Sequence, residues 1–409
     1  MNDTRAISRD RAASSSAEGN RLRLILILGS LSAFGPLSLD MYLPSLPALA
    51  GELGTGASQA QLSLTFCLLG LALGQMLAGP LSDVRGRRMP LLASLAVYAT
   101  ASLLCAYSPN IWIFCGLRLV QGLAGAAGIV LSRAVVRDMY TGTELTRFFA
   151  MLMLVNGAAP ILAPILGGQL LQWTSWRGVF VILAAIGGIM LASVWLWLPE
   201  TLPPDRRARG GLGHTLAAFR SLLRDRRFIG LALAQGFMYA AMFAYIAGSP
   251  FALQELYGVS PQMFSVVFAA NGLGIILAGQ TAGKLAGRVK EQTLFRCGIL
   301  IGLAGGLGLP AALLAEAGLP AILPCLFLVV SSIGIASTSG TSLAMESYGH
   351  AAGSASALLG LISFIAGGIV SPLVGLGGNT TAMPMGIIIA LAESGAVLCY
   401  ILLVGTKKR

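Results

Sequence analysis

The chain has 409 residues, of which 56% are hydrophobic and 11% charged, with a mean hydropathy of +0.80. Those values leave no room for an ordinary soluble domain and indicate an integral membrane protein whose immediate partner is the lipid bilayer. A net charge of +11 could suggest nucleic acid, but the Lys and Arg residues are spread over a tail and short loops between apolar runs, which excludes that partner. The six cysteines (Cys67, Cys105, Cys115, Cys297, Cys325, Cys399) lie in apolar stretches, with no paired spacing and no histidine cluster beside them. Neither a disulfide frame nor a metal site is indicated, and small core residues are expected. His214 and His350 both fall in loops.

Reading apolar runs against their breakers predicts an all-α membrane protein with twelve spans. They lie near 22–43, 59–80, 89–107, 111–131, 147–170 and 177–197, then 228–250, 261–285, 293–316, 320–342, 353–375 and 383–404. Residues 1–21 read as a disordered tail with no cleavable signal pattern, 198–227 as a charged central loop and 405–409 as a basic tail. Twelve spans place all the Lys and Arg residues except Arg118 and Arg177 on one side, which the positive-inside rule makes the cytoplasm. Both termini are therefore expected there. The central loop separates two six-helix pseudo-symmetric halves, 22–197 and 228–404, a layout that puts a substrate path at their interface.

In chain order, the first span carries a single charge, Asp40, in the apolar run Leu24 to Ala50. An ionised carboxylate there is costly unless it faces a wet cavity, finds a partner or binds a proton, so Asp40 is a candidate proton site. Gly35 and Pro36 loosen the helix just before it. The alternative is that Pro44 and Pro47 end the helix and Asp40 wets its head at the interface. After span 2 comes Gly79-Pro80-Leu81-Ser82-Asp83-Val84-Arg85-Gly86-Arg87-Arg88. In this loop Gly79 allows close helix approach, Asp83 offers a charge to a helix N-terminus, Gly86 permits a tight turn, and Arg87 and Arg88 hold the cytoplasmic face.

Span 4 carries Arg118 one turn from Gln121, with Gly122, Gly125 and Ala126 as a small-residue contact face. The guanidinium cannot lose its proton, so it must meet an acid, a carbonyl or water, as a functional cation or as a brace. Span 5 carries Pro160, Pro164, Gly167 and Gly168, the makings of a bent, closely packed helix. By span position, the polar and aromatic residues for a central cavity are Gln75, Gln121, Asn156 and Asn271 beside Tyr42, Phe66, Tyr239, Phe243 and Tyr245. Glu393 is the other embedded acid. It is expected outside the central path, protonated or hydrogen-bonded to a neighbouring helix.

The loop from Gly79 to Arg88 resembles the signature of the major facilitator superfamily between its second and third spans. Gly283 to Arg288 echoes it in the second half, without the acid. A closer resemblance, to the bicyclomycin and chloramphenicol resistance family of proton-driven drug exporters, runs through several stretches. They are Pro36 to Leu49, Gly74 to Arg88, Val135 to Tyr140, Trp173 to Phe180, Leu198 to Arg207 and Ala247 to Phe264, with Asp-Met-Tyr-Leu-Pro around Asp40 the most telling.

The resemblance implies an antiporter of the bacterial inner membrane, in which a drug or other small amphipathic molecule leaves as protons enter by alternating access. It implies a proton-coupling role for Asp40 and Arg118, a conformational switch at Gly79, Asp83, Arg85, Gly86, Arg87 and Arg88, and the exporters' proline and glycine pattern in span 5. The energy source is the proton gradient; no cofactor, no metal and a monomer are expected. Some related multidrug exporters carry a second acid two turns earlier in span 1, where this chain has Ser32, which weakens the case for lipophilic cations. A metabolite exporter is the alternative within transport. An enzyme is not expected, since no loop can hold a catalytic domain and no nucleophile or metal constellation appears. Asp83 is further expected to meet the free N–H groups that open span 11 near Ala352, Gly353 and Ser354, locking the cytoplasmic side shut.

Overall fold

Long apolar runs without water to satisfy their backbone must close their own hydrogen bonds, and in this chain they do so as helices. The computed structural model describes residues 23–207, 221–345, 352–378 and 380–404. The N-terminal tail, His214 with most of the central loop, His350 and the C-terminal basic tail lie outside them. Ten helices are long and apolar enough to cross a bilayer, and a bent pair makes an eleventh. The twelfth is Gly142–Leu170, apolar over Leu154–Leu170.

Span 1 is the bent pair Arg23–Ser32 and Phe34–Glu52. Spans 2 to 6 are Ala57–Arg85, Arg88–Ala106, Ile111–Met139, Gly142–Leu170 and Trp176–Trp197. Spans 7 to 12 are Arg226–Phe251, Pro261–Leu285, Glu291–Leu314, Leu319–Met345, Ala352–Val374 and Met383–Cys399, the first and last of these continuing as π-helical turns. Most run past their predicted ends because helix continues beyond the hydrocarbon: 29 residues of span 2 reach about 43 Å at 1.5 Å each. Among the described residues no strand forms, only a single bridge between Ala286 and Val289.

The packing repeats with a shift of six spans. Span 2 lies on 4 as 8 lies on 10, 3 on 6 as 9 on 12, and 1 on 5 as 7 on 11, while 2 meets 11 as 8 meets 5. The last two pairings form the seam between the halves. The small face of span 4 fits span 2 closely: a Cβ on Gly122 would stand 2.3 Å from the Cys67 carbonyl oxygen. Cysteines 67, 105 and 115 are buried as expected, but Cys297 is exposed on the outer side of span 9.

The face bearing the Arg/Lys-rich loops is called the basic face below. On the opposite face the Glu52 carboxylate accepts from Trp176 Nε1 at 2.5 Å and Arg177 Nε at 2.9 Å, and Arg177 Nη1 donates to the Ala106 carbonyl at 2.6 Å. This cluster fastens the ends of spans 1, 3 and 6. Hydrogen bonds across the seam gather on this same side. Ser58 Oγ donates to the Pro372 carbonyl (2.7 Å), Gln61 Nε2 to Ala247 (2.9 Å), Gln254 Nε2 to Pro44 (3.1 Å) and Gln262 Nε2 to Gly168 (3.0 Å). Thr65 Oγ1 donates to the Gly368 carbonyl at 2.8 Å. That carbonyl is free because Pro372, four residues on, has no N–H to give it. The halves are thus joined on the side away from the basic loops.

Candidate transport site at the break in span 1

Pro36 supplies no N–H for the carbonyl of Ser32, and span 1 bends by 43° at Ala33. A short helix, Phe34–Asp40, follows and ends at the candidate acid; after a turn and the 3-10 segment Leu43–Ser45 the helix resumes at Leu46–Glu52. Pro44 and Pro47 therefore do not end the span. Each sits in the first turn of a new helical segment, where a missing N–H costs nothing. Asp40 is 6% exposed, which overturns the reading of an acid wetting its head at the interface. Packing from span 5 holds the break: a Cβ on Gly167 would stand 1.8 Å from the Met41 carbonyl oxygen, and one on Gly168 would stand 2.3 Å from Ser265 Oγ of span 8. The glycine pair therefore touches the acid-bearing break on one side and the other half of the molecule on the other.

Arg118, wholly buried, grips span 1 on both sides of Asp40. Because the helix stops at Asp40, the Ser38 carbonyl is left without an intrahelical N–H, and Arg118 Nη2 donates to it at 2.7 Å. Two residues beyond Asp40, the Tyr42 ring lies 4.5 Å from the guanidinium carbon, with Phe180 at 5.5 Å. Nη1 donates to Gln121 Oε1, Gln121 Nε2 to Ser102 Oγ at 2.7 Å, and Ser102 to the Tyr98 carbonyl at 2.7 Å. Ser38 Oγ shares a 2.8 Å hydrogen bond with Tyr98 OH, and Tyr42 OH another of 2.8 Å with Ser63. Arg118 Nε is buried without a hydrogen-bond partner among the described residues. Carbonyl, amide and ring faces thus take the place of water around this cation.

Asp40 itself makes no hydrogen bond or ion pair among the described residues, though it lies within electrostatic reach of Arg118. Its oxygens are not among the wholly enclosed polar atoms that lack partners, so water can touch them. Its charge also reaches Tyr245 of span 7, across the seam, whose hydroxyl accepts from Asn271 Nδ2 at 2.8 Å. The structure therefore brings Asp40, Arg118, Tyr42, Gln121, Tyr245 and Asn271 into one region inside the helix bundle.

The remaining sequence candidates are placed as follows. Gln75, Phe66 and Tyr239 are half-buried. Asn156 Nδ2 donates to Leu152 of its own helix at 3.0 Å. Phe243 packs on the span 11 backbone at Gly367 and on Phe364 at 6.3 Å. Ser38, Ser63, Tyr98, Ser102 and Phe180 complete the network but were not singled out, because isolated hydroxyl and aromatic residues in apolar spans carry no periodic signal.

The loop after span 2 departs from expectation in two ways. Arg87 does not lie on the surface. It is 8% exposed, with Nη1 bonded to Asp83 at 2.5 Å and to Ser82 at 2.7 Å and Nε bonded to Asp138 of span 4 at 2.8 Å. Asp83 is thereby occupied by Arg87, and no contact with the start of span 11 is seen among the described residues. Gly86 turns the chain at φ 89°, a left-handed conformation, and a Cβ there would stand 2.5 Å from Glu200 Oε2. Arg88 Nη2 donates to the Trp195 carbonyl at 2.5 Å; Arg85 is exposed. In the echoing loop, Gly287 turns at φ 85° before Arg288.

Glu200, just beyond span 6, was not singled out by the sequence reading. Its carboxylate accepts from the backbone N–H groups of Arg87 (2.7 Å), Arg88 (3.2 Å) and Leu202 (3.0 Å), capping the start of span 3. Partial burial pushes this carboxyl up, but those three N–H groups and Arg207 more than offset it and hold it below the usual carboxylate range. The stabilisation is therefore fully present above the ordinary pKa of an unfolded-chain Glu and is lost as pH falls through the lower folded value. Glu200→Gln should cost about 1 kcal/mol or less, given solvent screening. Thermal unfolding should show the wild type and the variant converging in acid, and parallel curves at all pH would contradict the cap.

The sequence profile of the Major Facilitator Superfamily matches residues 28–372. Among known proteins, the uncharacterized MFS-type transporter YdgK of Bacillus subtilis (strain 168) is 45% identical over 370 residues, covering 90% of this chain and 92% of the relative. The bicyclomycin resistance protein homolog of Haemophilus influenzae is 30% identical over 377 residues, covering 92% and 94%. The fold is similar to a crystal structure of a bacterial homolog to the human lysosomal transporter Spinster, in an inward-facing and unoccupied conformation, with a TM-score of 0.74 at 16% identity over 96% and 98% of the chains.

Proposed function

The chain belongs to the major facilitator superfamily, and on that premise we propose that it is a proton-driven antiporter exporting small amphipathic molecules across the bacterial inner membrane, in the manner of bicyclomycin and chloramphenicol efflux. The observation that carries the reading is Asp40, an embedded, unpartnered and water-accessible carboxyl beside a fixed guanidinium, within electrostatic reach of the other half. Placing the basic face in the cytoplasm by the positive-inside rule makes the joined side the exterior, so this arrangement is the inward-facing member of an alternating pair.

In that cycle Asp40 takes a proton when the site opens outward and, once the site has opened inward, releases it as substrate binds. Arg118 senses the change through Ser38 and Tyr42, because an ionised Asp40 competes with the carbonyl and ring for the guanidinium. Each proton entering supplies about 2.3 kcal/mol per 100 mV. The test is counterflow in reconstituted vesicles: an inward proton gradient should drive bicyclomycin movement in the opposite direction. Transport that ignores the gradient would refute antiport, and a response to amino acids or sugars with none to bicyclomycin would redirect the substrate class.

The basic-face switch has two positions in this scheme. Facing inward, Asp83 is held by Arg87; facing outward, it moves to the start of span 11, where an acid contributes typically 0.3–1 kcal/mol and up to ~2 when partly buried. About 1.4 kcal/mol changes a two-state population tenfold. Because Arg87 keeps Ser82 and Asp138 in the observed state whereas the span 11 contact rests on Asp83 alone, Asp83→Asn should favour the inward-facing state and slow transport while keeping substrate binding. Cysteine pairs bridging the basic-face ends of spans 2 and 11 should crosslink less in this variant. Unchanged crosslinking with normal transport would reduce Asp83 to an anchor for Arg87.

A further inference from the structure

The second embedded acid lies far from the break in span 1. Glu393 falls midway along the helix and π turn that make up span 12, and none of its surface is exposed. Both carboxyl oxygens are enclosed, and neither has a hydrogen-bond partner among the described residues. The expected alternative of a hydrogen bond to a neighbouring helix is therefore not what the structure contains.

The acid sits in a cradle made by two glycines one turn apart on span 9. A Cβ on Gly302 would stand 2.5 Å from Glu393 Oε2, and one on Gly306 would stand 3.0 Å from its Cγ. Ser332 of span 10 borders the same space, but its hydroxyl donates to the Val329 carbonyl at 2.7 Å. The Phe237 ring of span 7 covers span 12 at Gly395.

Among the described residues no charged group acts on the carboxyl. On span 9, Arg296 is engaged with Tyr400 at 3.0 Å, and Glu291, which accepts from Ser342, opens that helix at the basic face. On span 7, Arg226, bonded to the Leu402 carbonyl, and Arg227 lie at its basic-face start. The other titratable groups on the surrounding spans are the thiols of Cys297, Cys325 and Cys399 and the hydroxyls of Tyr239, Tyr245 and Tyr400.

A carboxylate enclosed without a hydrogen-bond donor or a cation has nothing to compensate its charge, whereas the neutral acid leaves only a hydroxyl unmet. We propose that Glu393 is a second proton-binding site of this protein, buried in the C-terminal half among spans 9, 10 and 12. It holds its proton at neutral pH and does not exchange it during turnover. A pore or cavity would have shown itself as exposure of the carboxyl, and the glycine cradle closes around it instead. The inference does not depend on what the protein transports or on whether Asp40 couples protons.

Infrared spectroscopy of the whole protein in lipid nanodiscs tests it, because the carbonyl stretch of a protonated carboxyl is resolved from the amide and ionised-carboxylate bands. At neutral and mildly alkaline pH the protein should show such a band that is lost in Glu393→Gln, survives in Asp40→Asn and shifts slowly on transfer to deuterated water. Ionised-carboxylate bands disappearing in Glu393→Gln would overturn the proposal, as would deuterium exchange as fast as that of exposed acids. Should Glu393→Gln fail to accumulate, Asp40→Asn decides alone: a protonated-carboxyl band must remain in it, and its absence refutes the site.

Discussion

Asp40→Asn should insert and fold but lose proton-driven transport. Among the described residues the carboxyl makes no hydrogen bond and no ion pair, so an amide of nearly the same volume breaks no contact there. What it loses is titration. With one proton entering per neutral molecule exported, a ~100 mV potential supplies about 2.3 kcal/mol, enough for roughly fiftyfold accumulation. In the Asn variant that ratio should fall to about one while downhill exchange of substrate persists. Uptake into inverted vesicles under an imposed potential reads the ratio directly. A variant that still accumulates substrate would place the coupling proton elsewhere.

Arg118→Ala should have the second large effect, on stability and on function together. It strands the Ser38 carbonyl and the Gln121 amide, both buried, at a cost of about 1–3 kcal/mol for each unmet group, and leaves a cavity beneath Tyr42 and Phe180. Arg118→Lys separates the two roles. An ammonium keeps the charge but cannot reach the carbonyl and the amide together from one planar fork while lying on an aromatic face. The Lys variant is therefore expected to accumulate better than the Ala variant and still transport poorly. Normal transport by the Ala variant at wild-type abundance would make Arg118 dispensable.

Much of this architecture was legible in the chain because a membrane imposes simple rules. Apolar length gave twelve helices, and the repeated layout anticipated the six-span shift in packing. Single charges in apolar runs pointed to Asp40 and Arg118. The misreadings share a cause, which is that proline and arginine were read locally. In the alternative reading Pro44 and Pro47 are stops, yet each starts a helical segment, and Pro372, lacking an N–H, leaves the Gly368 carbonyl free for Thr65 of the opposite half. Arg87 looked like a surface anchor, but Asp138, 51 positions away, turns it inward. The hydroxyl network of Ser38, Ser63, Tyr98 and Ser102 needed tertiary contacts to appear. So did Glu200, whose partners at Arg87 and Arg88 lie more than 100 positions away.

Release of the Asp40 proton as substrate binds is the step on which the proposed antiport rests. It is tested most directly by adding bicyclomycin to the detergent-purified protein in weak buffer and recording the pH. Proton release is expected from the wild type and from Glu393→Gln, saturating with substrate, and none from Asp40→Asn even where that variant still binds the compound. Equal release from Asp40→Asn would contradict it.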